Sequence, residues 1–217
     1  NNEQFLKEDG TIVTRTDQMI NDLLIKEISL LDSNTLIISE ESPFNTSDFL
    51  KDRYWLIDPI DGTKSYSEGG SEYTINIALI ENGYPTLGMI GHPPSKKIWY
   101  GYKSMAYIEE NTNVKLLKFE HTGGAELKVI TSRSIDNKTY SFLKKFNTLH
   151  HIKESSSIKF CRLIEEDIDF YPRFQPINKW DIAAGDAIVR AYGGSVLTLK
   201  GNNFLYNSNT NKTTGFI

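Results

Sequence analysis

WLIDPIDGTKSY, residues 55–66, is the stretch on which the reading of this chain turns. Trp55, Leu56 and Ile57 open it as a buried strand should. Asp58 and Asp61 then arrive together, split by Pro59 and followed by Gly62 and Thr63. Pro59 fixes its own φ and bends the chain. Gly62 permits a conformation that other residues resist. A tight turn of this kind points both carboxylates at one cavity, with the Ile60 carbonyl between them. Like charges so placed repel and require a compensating cation. Carboxylates and a carbonyl are hard oxygen ligands, the chemistry of Mg²⁺. Asp-Pro and Asp-Gly also make ordinary surface turns, but the apolar run before them and the Thr-Lys after them favour a site. Gly62, Thr63 and Lys64 lead into a short predicted helix, whose free N–H groups would attract an anion. A cation site beside an anion site suggests a phosphate. Thr63 would hydrogen-bond an attacking water, or merely cap the helix.

Three further groups of acids stand at the ends of predicted elements, where functional groups concentrate. Glu40 and Glu41 follow the apolar LIIS, so one faces inward as a ligand or the pair simply closes a strand. Asp17 lies three residues after Thr14, a capping-box spacing that already accounts for it without a catalytic role. Asp181 follows a plausible helix cap, Asn178, and would sit in the first helical turn. Cap chemistry explains it too, yet Ala183, Ala184 and Gly185 are small enough to let that helix pack closely and fix its N-terminus.

The surroundings are those of a globular protein. The chain has 217 residues, 39% hydrophobic and 24% charged, enough for a sizeable core in one domain or two small ones. A net charge of -4 argues against a nonspecific nucleic-acid binder. The single cysteine, Cys161, excludes an intrachain disulfide and a Cys-rich zinc site, suits a reducing compartment, and lies in the apolar IKFCRLI as a small core residue. No apolar run approaches the roughly 20 residues of a membrane span. The opening NNEQFLKEDGT reads as a loop, with no helix ahead of it and no signal peptide.

TRTDQMINDLLIKEISLL has helical spacing, and NTLIISEE reads as a short strand. Strands and turns follow from SEYTINIALI onward, with Asn82-Gly83 as a hairpin signal and His-Pro-Pro as a strand breaker. AYIEENTNVKLLK gives another hairpin. Beyond Leu127 the pattern becomes LKVIT strand, TYSFLKKF helix, SSSIKFCRLIEE helix, DIDFYPRF strand, DIAAGDAIVRAYGG helix and SVLTL strand. The expectation is therefore an α/β (α+β) protein. Residues 1–122 would form an α+β subdomain with an antiparallel sheet and the metal site, and residues 123–217 an α/β subdomain, the two acting as one unit.

WLIDPIDGT and WDIAAGDAIVRAYGG, with SEE upstream, resemble the two signatures of the inositol-monophosphatase superfamily of Mg²⁺-dependent phosphomonoesterases. IVTRTD, EYTINIALIENGYPTLGMIGHP, SSSIKFC, YPRF and NKWDIAAG resemble its bacterial 3'(2'),5'-bisphosphate nucleotidase branch, so the likeness spans nearly the whole chain. The resemblance implies a layered αβαβα sandwich and two or three Mg²⁺ ions, with Li⁺ inhibitory. It implies that Glu40, Asp58, the Ile60 carbonyl, Asp61 and Asp181 hold the metals. Asp17 and Thr63, with Glu40, would activate water. Gly62 and Thr63, flanked by Ile60 and Asp181, would receive the phosphate. Ser156, Lys159 and Arg173 would lie near the nucleotide. Two departures stand out. Ile135 occupies a place where the family commonly has a histidine, and the family's first helix is mostly lacking. The implied substrate is adenosine 3',5'-bisphosphate, with an inositol or sugar phosphate as the alternative. A noncatalytic nucleotide-binding descendant would have lost a ligand or Thr63, and none is lost. The implied partner is a small phosphorylated nucleotide, with no DNA and no integral membrane segment. The implied setting is the cytosol or the inner membrane face, as a monomer or homodimer.

Overall fold

The computed structural model describes residues 4–6, 12–119, 126–146 and 149–217. Strand β1 (Gln4–Leu6) pairs antiparallel with β2 (Ile12–Thr14), which runs directly into helix α1 (Arg15–Leu31). Then come β3 (Leu36–Ser39), β4 (Arg53–Asp61), the short helix α2 (Thr63–Ser67), β5 (Thr74–Glu81), β6 (Tyr84–His92), β7 (Lys97–Tyr102), β8 (Met105–Glu110) and β9 (Asn113–Leu117). The second half holds β10 (Leu127–Thr131), α3 (Asn137–Leu143), β11 (Leu149–Lys153), α4 (Ile158–Glu165), β12 (Ile177–Asn178), α5 (Ala183–Tyr192) and β13 (Lys212–Thr213).

Strands β3 to β9 form one seven-stranded sheet in sequence order. Only the β3–β4 pair is parallel. The alternation along these strands sets the layers. Tyr54, Leu56, Ala78, Ile80, Ile90 and Trp99 join the buried cluster that α5 covers. Trp55 points the other way, its indole N–H bonded to Asp32 at the end of α1. Below α5 and α4 lies the parallel pair β10–β11. Beyond it α3 packs Phe142 edge-on against Phe170 and tilted against Phe174. The order of layers is αβαβα. The buried cluster runs from Ile38 to Phe216 and draws on both halves of the chain. The expected boundary at residues 122 and 123 lies outside the described residues.

Local signals act as expected at most element ends. Thr14 and Asp17 make a full capping box on α1. Asn82 and Gly83 both take positive φ in the β5–β6 turn, as a type I′ hairpin requires. Strand β6 stops at His92, where Pro93 begins a 3-10 turn. Four expectations are corrected. Residues 4–6 of the opening segment are a strand, not loop, while 1–3 and 7–11 lie outside the described residues. DIDFYPRF and SVLTL are not continuous strands. They carry single bridges, Val129 to Phe170, Arg173 to Phe216, Leu197 to Asn203 and Thr198 to Phe216, because Pro172 has no N–H to give a ladder and a turn at Leu199 and Lys200 ends the other run. Asn178 is not a helix cap but belongs to β12, and Ile182 takes the N-cap position of α5.

Small residues bring α5 onto the sheet. A Cβ at Gly88 of β6 would be driven into the Ala184 carbonyl oxygen, and one at Gly185 into the Phe160 ring. Gly88→Ala is therefore expected to destabilise by ~1–3 kcal/mol through overpacking against backbone that cannot step aside. Gly91→Ala on the same strand meets only Ile75 at 4.0 Å and serves as the control. Thermal unfolding of both checks this, and equal midpoints would refute the close approach.

Candidate active site

Strand geometry places the acids. Glu40 is the first residue past β3, and its N–H bonds the Ile57 carbonyl at 3.1 Å. Asp58 lies on β4 opposite Asn76, and the register breaks between Asp58 and Asp61, where Pro59 cannot donate to a ladder. Gly62 then takes φ 95°. A side chain there would strike the Glu72 carbonyl, so glycine is required twice over. Asp181 arrives from the turn just before α5. As a result Glu40, Asp58 and Asp181 each bring a carboxylate oxygen to one point, all within 4.8 Å of one another.

The electrostatics are those of an uncompensated cluster. Asp58 is buried, and burial followed by the charges of Glu40, Asp61 and Asp181 pushes its pKa well above the usual carboxylate range. Burial and then Asp61 and Glu40 do the same to Asp181, with Arg173 pulling the other way. Asp61 is raised by burial and held back chiefly by Lys159 and by the Ser157 N–H. The Asp58 Oδ2 atom is buried and has no hydrogen-bond partner among the described residues. A buried lone carboxylate oxygen is costly. A hard divalent cation satisfies it, and the all-oxygen donor set fits Mg²⁺.

Thr63 and Asp17 meet beside this cluster. The Thr63 hydroxyl lies 2.9 Å from the Ile60 carbonyl and 3.3 Å from Asp17 Oδ1. Thr63 is thus not the cap of α2; that place belongs to Gly62, which has no side chain to cap with. Asp17 serves two elements at once. Its Oδ2 accepts the Thr14 N–H at 2.7 Å and the Thr14 hydroxyl at 2.5 Å, while its Oδ1 faces Thr63. The capping box is formed, and the same carboxylate also reaches Thr63. Glu41 departs from the cluster and accepts from Gln18 at 3.3 Å.

A cavity of about 330 Å³ opens from Asp61 and Asp181 toward Lys159, Arg173, Arg133 and a group of serines. Lys159 is buried, donates to the Ser156 carbonyl and lies 5.4 Å from the Tyr171 ring centre. Arg173 donates to Ser132 Oγ at 2.9 Å, and its buried Nε finds no partner among the described residues. Ser156 lies at the same cavity in a left-handed conformation, φ 52°. Glu40, Asp58 and Asp181 therefore meet at the carboxylate cluster, Asp17 meets Thr63, and Asp61, Asp181, Ser156, Lys159 and Arg173 line this cavity, while Glu41 lies at none of these.

Sequence reasoning missed several supports. Ser157 joins the Thr74 hydroxyl at 2.7 Å and Asn76 Oδ1 at 2.6 Å, tying α4 to β5. Lys179 is fully buried in NKWD, donates to the Tyr206 and Ser208 carbonyls, and is lowered to about 8 by burial. It anchors the turn that carries Asp181. Glu72 accepts from Arg133 and from the Ser155 N–H, and the Arg133 guanidinium holds its pKa down at about 2. A lysine or glutamate reads from sequence as surface charge, and nothing local marks these otherwise.

The site of this layered α/β protein is thus a carboxylate cluster able to hold a metal ion, beside a cationic, hydroxyl-lined cavity. Residues 1–213 match the Inositol monophosphatase family, and the chain belongs to it. The 3'(2'),5'-bisphosphate nucleotidase CysQ of Buchnera aphidicola subsp. Acyrthosiphon pisum is 38% identical over 212 residues, 95% of this chain and 80% of the relative. The protein of that name from Salmonella typhimurium is 33% identical over 206 residues, 94% and 83%. The crystal structure of CysQ from Bacteroides thetaiotaomicron, described as a bacterial member of the inositol monophosphatase family, superposes with a TM-score of 0.82 at 27% identity. The match covers 92% of this chain and 81% of that one. Among the described residues no helix is long and apolar enough to cross a membrane.

Proposed function

We propose that this chain is a Mg²⁺-dependent phosphomonoesterase that hydrolyses the 3'-phosphate of adenosine 3',5'-bisphosphate to give AMP and phosphate, clearing the by-product of sulfate activation. The observation that carries the reading is the convergence of Glu40, Asp58 and Asp181, the last of which lines a cavity together with Asp61, Lys159 and Arg173. The curated relatives' names support the nucleotide over other phosphomonoesters.

Glu40, Asp58, Asp61, Asp181 and the Ile60 carbonyl would hold two or three Mg²⁺ ions. Mg²⁺ held there would supply charge neutralisation on the phosphate, acidification of a water and stabilisation of the leaving oxygen. The chain's own residues do the rest by positioning. Gly62 and Thr63 receive the phosphate at the start of α2. Asp17 accepts from the Thr63 hydroxyl, which leaves that oxygen to take a hydrogen bond from the attacking water and aim it at phosphorus. The water oxygen forms the new P–O bond and gives up one proton, the P–O3' bond breaks, and the leaving 3' oxygen takes up a proton in its place. In net terms water supplies both the hydroxyl on phosphorus and the hydrogen on O3'. Ser156, Lys159 and Arg173 hold the nucleotide that departs. A second reading, an inositol or sugar phosphatase, draws on Ile135. An aliphatic side chain there supplies no imidazole for an adenylate.

The test is phosphate release with Mg²⁺ from adenosine 3',5'-bisphosphate and inositol 1-phosphate at equal concentration, with an EDTA control. A strong preference for the nucleotide is expected. Preference for inositol 1-phosphate would install the second reading, and no release from either would refute catalysis. Li⁺ is expected to inhibit by taking one cation position. Full activity in high Li⁺, at matched ionic strength, would count against a shared multi-ion site.

A further inference from the structure

Glu72 stands where three loops meet, and the proposed mechanism does not use it. Its backbone N–H donates to Ser65 Oγ on α2 at 3.1 Å. Its carbonyl packs so tightly on Gly62 that no side chain fits there, and Ser156 Cβ lies against the same spot. Its carboxylate receives both Nε and Nη2 of Arg133, and the Ser155 N–H at 2.9 Å. One residue therefore touches the phosphate-receiving turn, the loop after β10 and the loop that leads into α4. Arg133 and Ser155 also line two cavities, the one of about 330 Å³ that reaches Asp61 and a second of about 600 Å³ bounded by Gly62, Lys64 and Ser65. Glu72 lines the second and marks the divide.

The pair does little for stability. The Arg133 side chain is 63% exposed, and ion pairs so open to water contribute at most modestly. Its geometry is what matters. A two-pronged Arg–carboxylate contact fixes direction as well as distance. The residue next to Ser155 is Ser156, a non-glycine held at φ 52°, a conformation that persists only where its surroundings enforce it.

We propose that Glu72 is a positioning residue for substrate specificity. It holds loop 155–157 and Arg133 in register with the Gly62 and Thr63 turn, so that a nucleotide is seated while its phosphate lies at the carboxylates. The inference rests on the phosphomonoesterase reading. It predicts that losing Glu72 harms a large leaving group that leans on loop 155–157 more than a small one that does not.

The measurement is the ratio of kcat/KM for adenosine 3',5'-bisphosphate to that for inositol 1-phosphate. Any loss of folded protein lowers both terms equally and cancels. Glu72→Ala is expected to lower the ratio about tenfold or more, since small misplacements of a bound substrate carry large rate costs. Arg133→Ala should lower it less, because the Ser155 N–H keeps its acceptor. Glu72→Gln should also fall less than Glu72→Ala, because its amide oxygen can still accept that N–H. Should Glu72→Ala fail to fold, the other two variants carry the test. Ratios within about twofold of wild type in every folded variant would overturn the inference while leaving the reading intact. A wild-type protein that releases phosphate from neither ester would overturn the reading, and the inference with it.

Discussion

Asp58→Asn is expected to lower phosphate release from adenosine 3',5'-bisphosphate by ~10³-fold or more, without unfolding the protein. Catalysis and metal-free stability respond to this change with opposite signs. For catalysis, Asp58 is the most deeply buried of the three converging acids, and its Oδ2 is the oxygen that lacks a partner among the described residues. Removing its charge takes a ligand from the centre of the proposed cation site. For stability, the metal-free cluster is repulsive, with Asp58 raised by burial and then by Glu40, Asp61 and Asp181. An amide of the same shape relieves that repulsion. The thermal midpoint of the metal-free variant should therefore equal or exceed that of the metal-free wild type. Mg²⁺ should reverse the order. Ligand that binds only the folded state stabilises by about 2.7 kcal/mol at a hundred times its Kd, and the variant should lose most of this. Near-wild-type turnover in excess Mg²⁺, or an undiminished Mg²⁺ shift in the midpoint, would remove Asp58 from the site.

Thr63→Ala is expected to reduce kcat by about 10²–10³-fold with little change in KM, the lower part of the range for a positioned acid–base group. The Thr63 hydroxyl is the only side-chain donor recorded on Asp17 Oδ1 among the described residues, and it also contacts the Ile60 carbonyl. Losing it leaves the carboxylates in place, so Mg²⁺-dependent stabilisation should survive. That retained response separates this variant from Asp58→Asn. Thr63→Ser should recover most of the activity, because the hydroxyl remains. Asp17→Asn is a less clean probe. It weakens the capping box on α1 as well, and loss of a helix cap costs ~1 kcal/mol. A Thr63→Ala enzyme within threefold of wild type would show that the water is aimed by something else.

The candidate site was legible because its chemistry is written in short, stereotyped runs. Asp58, Pro59, Asp61 and Gly62 each have one conformational or ionic consequence, and those consequences agree. The helix of Asp17 and the hairpin at Asn82 and Gly83 were equally plain, since caps and turns are local. Legibility failed where long-range packing decides. DIDFYPRF has strand composition, but Pro172 and the surrounding aromatic packing leave it with isolated bridges rather than a ladder. Asn178 looks like a cap in one dimension, whereas pairing with Lys212 on β13 claims it for a strand. The side chains of Lys179 and Glu72 have partners that lie 27 or more residues away in the chain, a distance no spacing rule spans.

One consequence is practical. Cys161 is fully buried, and burial pushes its thiol well above the ordinary range. The thiolate is the form that reacts, so maleimide reagents meet no reactive natural target in the folded protein, which has one cysteine in all. A cysteine introduced at Leu31, 88% exposed at the end of α1, or at Tyr140, 52% exposed on α3, becomes the sole labelling site. Dyes at both places would sit on the two outer layers, and the separation between them could be followed as Mg²⁺ and nucleotide are added, without first engineering away a background thiol.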